Sequence, residues 1–361
     1  MKRPNGQGSI YFEKAKNRYA ASFITPEGKR VVKRFKTPED AENWLEDNRY
    51  KIRHNTFVSP STLRTGQWIL QYLDTYKKNV RPQTMFNYLA MMDKLDPIAN
   101  IPLQRLTGLD VQNLINAMQA QNLSSGYIQA VYHILSMAIK KAVALELLSK
   151  SPLATVERPT TTHRKIQIFT IDEVKQLLNY TKNTHWQRLH VEILLAAYTG
   201  MRIGEILALS WSDISPSFIK VSKTLARDGY SLMVQNTTKT DSSRREISIP
   251  LSVYNELMEW KSKNRTFGGQ VFKTYTGKIV APNNESLSFK KVQVALGISP
   301  LRGFHALRHT HASQLLAHGV PIAEVAKRLG HANPSITLNT YASWIPGNDK
   351  KVASDVEKIF S

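Results

Sequence analysis

The sequence predicts a multidomain chain: a small α+β N-terminal domain with a three-stranded sheet plus helix, an all-α helical bundle, and a mixed, mainly α domain with a small β-sheet. Three observations lead there. The chain has 361 residues, enough for two or three domains of roughly 100–200 residues each. Its apolar residues change from two-residue alternation ahead of Thr37 to helical spacing after Thr65. Between Ser151 and Arg164, two prolines, four threonines and no helical period interrupt that spacing as a linker would.

Taken in order, Ser9–Glu13, Tyr19–Thr25 and Lys29–Phe35 read as strands, with turns at Lys14–Asn17 and Pro26-Glu27-Gly28. Thr37 ahead of Pro38-Glu39-Asp40-Ala41 is a helix start with proline at the first position. That helix offers Ala41, Trp44 and Leu45 to one side of the sheet. With Phe23 and Phe35 facing it, alternation turns Arg30, Val32, Arg34 and Lys36 to the other side as a basic face. Such a face suits a DNA groove or plain solvent. The next expected helices are Thr65–Tyr76, Gln83–Lys94, Gly108–Gln121 and Ser125–Leu147, dotted with Lys77, Lys78, Lys140, Lys141 and Lys150. A last domain opens at Thr170-Ile171-Asp172-Glu173, a capping-box pattern. The resulting boundaries are 1–58, 65–155, a linker at 156–168, 169–345, and a tail at 346–361.

Composition narrows the partner. With 42% hydrophobic residues and no long apolar run, nothing reaches the ~20 apolar residues that span a bilayer. No cysteine is present, which removes disulfides and thiolate metal sites. A formal charge of +21 suits a polyanion, because each phosphate neutralised by Lys or Arg releases condensed counterions.

Four islands in the last domain carry residues fit for chemistry. In Thr199-Gly200-Met201-Arg202-Ile203-Gly204-Glu205 a glycine turn sets Arg202 at a helix start, a natural phosphate site; the same residues also fit an Arg202–Glu205 surface pair. Leu232–Pro250 reads as two strand-like runs with Lys239 near a hairpin tip. In His305-Ala306-Leu307-Arg308-His309-Thr310-His311, helical spacing puts His305, Arg308 and His309 on one face. His305 and His309 also have the spacing of a helical zinc pair, but the usual motif needs Glu where Ala306 stands. The fourth island is Leu329-Gly330-His331, followed by Tyr341.

In this order and context the islands resemble the tyrosine recombinase (phage integrase) family, most specifically in the last ~190 residues. The resemblance implies a catalytic set of Arg202, Lys239, His305, Arg308, His331 and the nucleophile Tyr341. It also implies an arm-type DNA-binding domain at 1–58, a core-type one at 65–155 and a catalytic domain at 169–345. A phage or conjugative-transposon integrase is the expected type.

The chemistry fits those residue types. A phenol of pKa near ~10 is a weak nucleophile at neutral pH. Arg202 and Arg308 can hold the two non-bridging phosphate oxygens and balance the transition-state charge. His331 can add a hydrogen bond, and Lys239 suits a general acid for the 5′ oxygen. The resemblance makes His305 the base that assists loss of the Tyr341 proton. The expected product is a 3′-phosphotyrosine, with strand exchange through a Holliday junction and neither metal, cofactor nor ATP.

Double-stranded DNA, a homotetramer on it, and DNA-bending and directionality factors are the implied partners, in a bacterial cytoplasm at the nucleoid, with no membrane. Type IB topoisomerases share this chemistry, and a non-catalytic DNA-binding protein fits the charge equally well. The basic N-terminal sheet favours the recombinase. Val352, Val356, Ile359 and Phe360 at near-helical spacing suggest that the tail packs onto a neighbouring subunit.

Overall fold

A computed structural model describes residues 8–54, 57–160, 166–182, 184–228, 231–236, 244–264, 269–344 and 356–357. The chain forms two compact units, residues 1–163 and 164–361.

The first unit opens with an antiparallel sheet in the order β1 (Ser9–Glu13), β2 (Arg18–Ile24), β3 (Arg30–Phe35). The second turn closes with the Thr25 amide donating to the Lys29 carbonyl at 2.8 Å, and Gly28 takes a left-handed φ of 80° there. Helix α1 (Pro38–Arg53) starts as expected, the Thr37 hydroxyl accepting from the Asp40 amide. It covers one sheet face: Ala21, Phe23, Ala41 and Leu45 are buried, and Trp44 lies 5.3 Å from the Phe23 ring and 5.7 Å from Phe35. The opposite face carries exposed Arg30, Val32 and Arg34, with exposed Lys36 just beyond, as alternation requires. It is not free of partners. Arg34 forks onto the Glu13 carboxylate, and Arg30 donates to the Ser22 hydroxyl at 3.1 Å.

Five helices of the same unit follow: α2 (Thr65–Tyr76), α3 (Pro82–Ala90), α4 (Asp96–Ala99), α5 (Gly108–Ala120) and α6 (Ser125–Ala144). Trp68, Ile69, Leu73, Val111, Ile115, Val131, Ile134, Leu135 and Ala138 build their shared core, and the Trp68 indole donates to the Ala138 carbonyl at 2.9 Å. The single helix expected over 83–94 ends at Ala90, passes through a 3₁₀ turn at Met92–Leu95 and restarts as α4. Pro97 sits in the first turn of α4, where no donor is needed, and its ring bars α4 from running on from the preceding turn as one helix. Helix α6 stops at Ala144 because Glu146 turns to a φ of 58° and the Leu147 amide bonds back to Ala142.

The second unit is mainly helical: α7 (Ile171–Lys182), α8 (Gln187–Thr199), α9 (Ile203–Ile206), β4 (Phe218–Val221), β5 (Lys223–Asp228), β6 (Ser231–Asn236), β7 (Arg245–Ser248), α10 (Leu251–Lys263), α11 (Pro282–Ala295), α12 (His305–Ala317), α13 (Ile322–Leu329) and α14 (Pro334–Tyr341). The capping box forms at α7: Glu173 and Thr170 bond reciprocally at 3.1 and 2.8 Å. Helix α8 runs through the core, with Leu189 and Val191–Ala196 buried. One expectation needs correction. The runs on either side of Lys239 do not form one hairpin among the described residues, because β6 pairs with β5 and β7 pairs with β4. Alternation marks a strand without naming its partner, and burial of Ile219 opposite Ile247 draws β7 to β4. Lys239 lies outside the described residues, as does the tail except at 356–357. No helix among the described residues is long and apolar enough to cross a membrane.

Candidate active site

Helix α8 ends where Gly200 takes a left-handed φ of 66°. A Cβ there would stand 2.7 Å from the His311 ring and 2.9 Å from Leu329, so both conformation and space call for glycine. The turn delivers Arg202 to the N-cap of α9, where its guanidinium bonds Glu205 at 2.9 Å and its amide bonds the same carboxylate at 3.0 Å. The surface pair considered from sequence is therefore present, but Glu205 is buried and shared. Arg245, turned inward on β7 alongside Ile247, donates to it at 2.9 Å and to the Arg328 carbonyl at 2.8 Å. Burial pushes the Glu205 carboxyl up, yet Arg245 and Arg202 outweigh it and hold it below the ordinary value. One carboxylate thus steadies two guanidinium groups.

Arg308 is 2% exposed. It donates to the Gly200 carbonyl and to the Leu329 carbonyl, each at 2.7 Å, and to the His331 Nε2 at 3.0 Å. Burial first, then the nearby Arg202, lowers its pKa to about 9, which leaves it a cation at neutral pH. A guanidinium only donates, so His331 Nε2 accepts and its Nδ1–H donates to the buried Thr337 hydroxyl at 2.7 Å. Burial and then Arg308 hold His331 down to about 4. In this tautomer His331 braces Arg308 and offers no Nε2 proton to a phosphate.

His305 opens α12 at the surface, its ring edge-on to His309 at 4.6 Å. Loss of water around the ring, then His309, Arg308 and Arg202, push its pKa down to about 4. Tyr341 ends α14 and is 1% exposed, packed with Ala312, Leu316, Val325, Leu329 and Trp344. Its hydroxyl meets His309 Nδ1 at 2.7 Å. Burial raises the phenol to about 12, against the opposing pull of Arg308 and Arg202.

Buried Arg308 is bonded to His331, and exposed Arg202 acts on both through its charge, with His305 and Tyr341 within the reach of the two arginines. The sequence reading missed His309, Arg245 and Thr337 as partners. For His309 the signal existed, because it shares a helical face with His305; alternation from Ile247 points Arg245 inward. Nothing local marked Thr337.

Comparison with known proteins agrees with this reading. Residues 167–344 match the phage integrase family, and residues 66–119 match the N-terminal SAM-like domain of phage integrases. The chain is 28% identical, over 92% of its length and 93% of the relative's, to a tyrosine recombinase XerC-like protein of Caldanaerobacter subterraneus. It is 23% identical to the ICEBs1 integrase of Bacillus subtilis, with 80% and 81% covered. Its fold is similar to the Tn1549 transposon integrase in complex with a circular intermediate DNA (TM-score 0.72, 19% identity, 82% of this chain and 99% of that one). It is also similar to a lambda integrase tetramer bound to a Holliday junction (TM-score 0.61, 17% identity, 93% and 98%). Fold, site and sequence together define an enzyme that breaks and rejoins DNA through a tyrosine. The chain belongs to the phage integrase family of tyrosine recombinases.

Proposed function

We propose that the protein integrates and excises a mobile element by site-specific strand exchange, with Tyr341 as nucleophile. The observation that carries this is that Tyr341 and Arg308 meet on neighbouring helices: the Tyr341 hydroxyl bonds His309 at 2.7 Å, and Arg308, the residue before it, bonds His331 and the Gly200 carbonyl two residues ahead of Arg202. Arg202, half exposed, and Arg308 hold the non-bridging oxygens of the scissile phosphate and offset the charge of its five-coordinate transition state. Tyr341 then displaces the 5′ oxygen, which Lys239 protonates, and the 3′-phosphotyrosine keeps the bond energy for rejoining. The family resemblance gives His305 the task of assisting proton loss from Tyr341, and His331 supports the phosphate through Arg308. Because the hydroxyl is buried and burial raises it to about 12, attack requires the scissile phosphate to be admitted beside it and a group nearby to take its proton.

Domains at 1–58 and 65–155 bind arm-type and core-type DNA, and a homotetramer assembles on the two sites. The lambda integrase tetramer on a Holliday junction supports that assembly, and DNA-bending and directionality factors fit the same scheme. A nicked suicide substrate tests the chemistry. The wild-type protein should give an SDS-resistant adduct whose DNA-linked peptide contains Tyr341, while Tyr341→Phe binds DNA equally and gives none. An adduct from Tyr341→Phe would remove the assignment.

A further inference from the structure

The proton of the nucleophile has a nearer acceptor than the residue the family resemblance singles out. His309 Nδ1 stands 2.7 Å from the Tyr341 hydroxyl. His305 meets the same ring only edge-on, at 4.6 Å between centroids. The phenol and the His309 imidazole lie on α14 and α12, and their rings are 5.6 Å apart at 57°. Arg308 occupies the neighbouring position on α12, its guanidinium bound to Gly200, Leu329 and His331.

We propose that His309 is a catalytic residue of this recombinase: in the Nε2–H tautomer it accepts the Tyr341 hydroxyl proton at Nδ1 as the phenolic oxygen attacks phosphorus. The inference rests on Tyr341 being the nucleophile. In this step the Tyr341 O–H bond breaks and an Nδ1–H bond forms, leaving an imidazolium. The new oxygen–phosphorus bond forms as the bond to the 5′ oxygen breaks, and that oxygen takes a proton from the general acid. In the reverse, rejoining step the imidazolium returns its proton to the departing phenol.

The electrostatics suit both directions. Burial and then Arg308 keep His309 below its ordinary pKa, so at neutral pH it is an unprotonated acceptor. The charged and titratable neighbours facing it are Arg308 and His305 on its own helix and Tyr341 from α14. His305, itself held neutral, packs against the ring and limits its rotation, which makes it a positioning residue in this scheme.

Single-turnover adduct formation on a suicide core site, followed from pH 5.5 to 9.5, tests the assignment in the full-length protein. His309→Asn keeps an acceptor near the Nδ1 position but cannot take up a proton. It should slow adduct formation by about 10²-fold, the lower end of the general-base range. Its rate should climb steadily with pH where the wild type levels off. His309→Ala should be at least as slow, both variants should bind the core site normally, and His309→Asn should keep the wild-type Tm. A wild-type rate and pH profile for His309→Asn would overturn the proposal, as would faster cleavage, which would make the hydrogen bond a restraint on Tyr341. Tyr341→Phe separates the two readings: an adduct there removes the nucleophile itself, whereas no adduct there with an unaffected His309→Asn removes only the base.

Discussion

Arg308 and Arg328 each donate into the Nε2 of a histidine, His331 at 3.0 Å and His311 at 3.1 Å, and so decide which nitrogen of each ring carries its proton. His311 then donates from Nδ1 to the Ala197 carbonyl, and His331 donates to Thr337. The Thr337 hydroxyl therefore acts at one remove, by fixing the tautomer that braces Arg308. Thr337→Val leaves that imidazole N–H unpaired, a loss of ~1–3 kcal/mol. Cleavage should fall about tenfold or more with DNA affinity unchanged, and Thr337→Ser should restore it. Single-turnover rates of the two variants check this; equal rates for wild type and Thr337→Val would show that His331 is oriented by something else.

Among the elements, α8 shows an electrostatic consequence of burial away from the catalytic residues. Glu192 on α8 has no exposed surface and faces Glu285 of α11; neither of its oxygens accepts a hydrogen bond, and the Arg188 Nε stands 3.7 Å from one of them. Burial, and then the charge on Glu285, raises its pKa well above the ordinary value, with Arg188 opposing. That shift favours the protonated form, which can donate to Glu285, whose carboxylate also takes Arg188 at 2.7 Å. A group with a raised folded pKa holds its proton more tightly when folded. Its contribution is complete below the unfolded value of about 4.3 and is lost as pH rises through the folded one. Glu192→Gln keeps the shape without the titration. Its Tm should exceed the wild type's by a margin that grows from pH 5 to pH 9. Parallel Tm-against-pH curves would show that Glu192 is not protonated in the folded protein.

For the whole molecule the governing quantity is the formal charge of +21. The basic sheet face of the first unit is one place where that charge gathers, although the Glu13 fork commits part of Arg34 within the protein. If Arg30, Arg34 and Lys36 meet phosphates, replacing all three with alanine weakens arm-site binding. It also flattens the dependence of log K on log salt by about 0.9 for each phosphate no longer neutralised. Cleavage of an isolated core site should not change. Filter binding at several salt concentrations measures the slope; an unaltered slope would assign the face to solvent.

Much of this protein is legible in its sequence because local rules act over short spans. Alternation places Phe23 and Phe35 toward α1, the Thr170–Glu173 box starts α7, and helical spacing groups His305, Arg308 and His309. The order of the four islands singled out Arg202, Lys239, His305, Arg308, His331 and Tyr341 as candidates. What the tertiary structure alone decided is pairing. β6 turned to β5 and β7 to β4; Arg245 came to share Glu205 with Arg202; and the Tyr341 hydroxyl met His309. Most of these pairings join residues far apart in the chain, and periodicity along a chain says which face a side chain occupies but not what packs against it. That depends on how the helices and strands close over a common core.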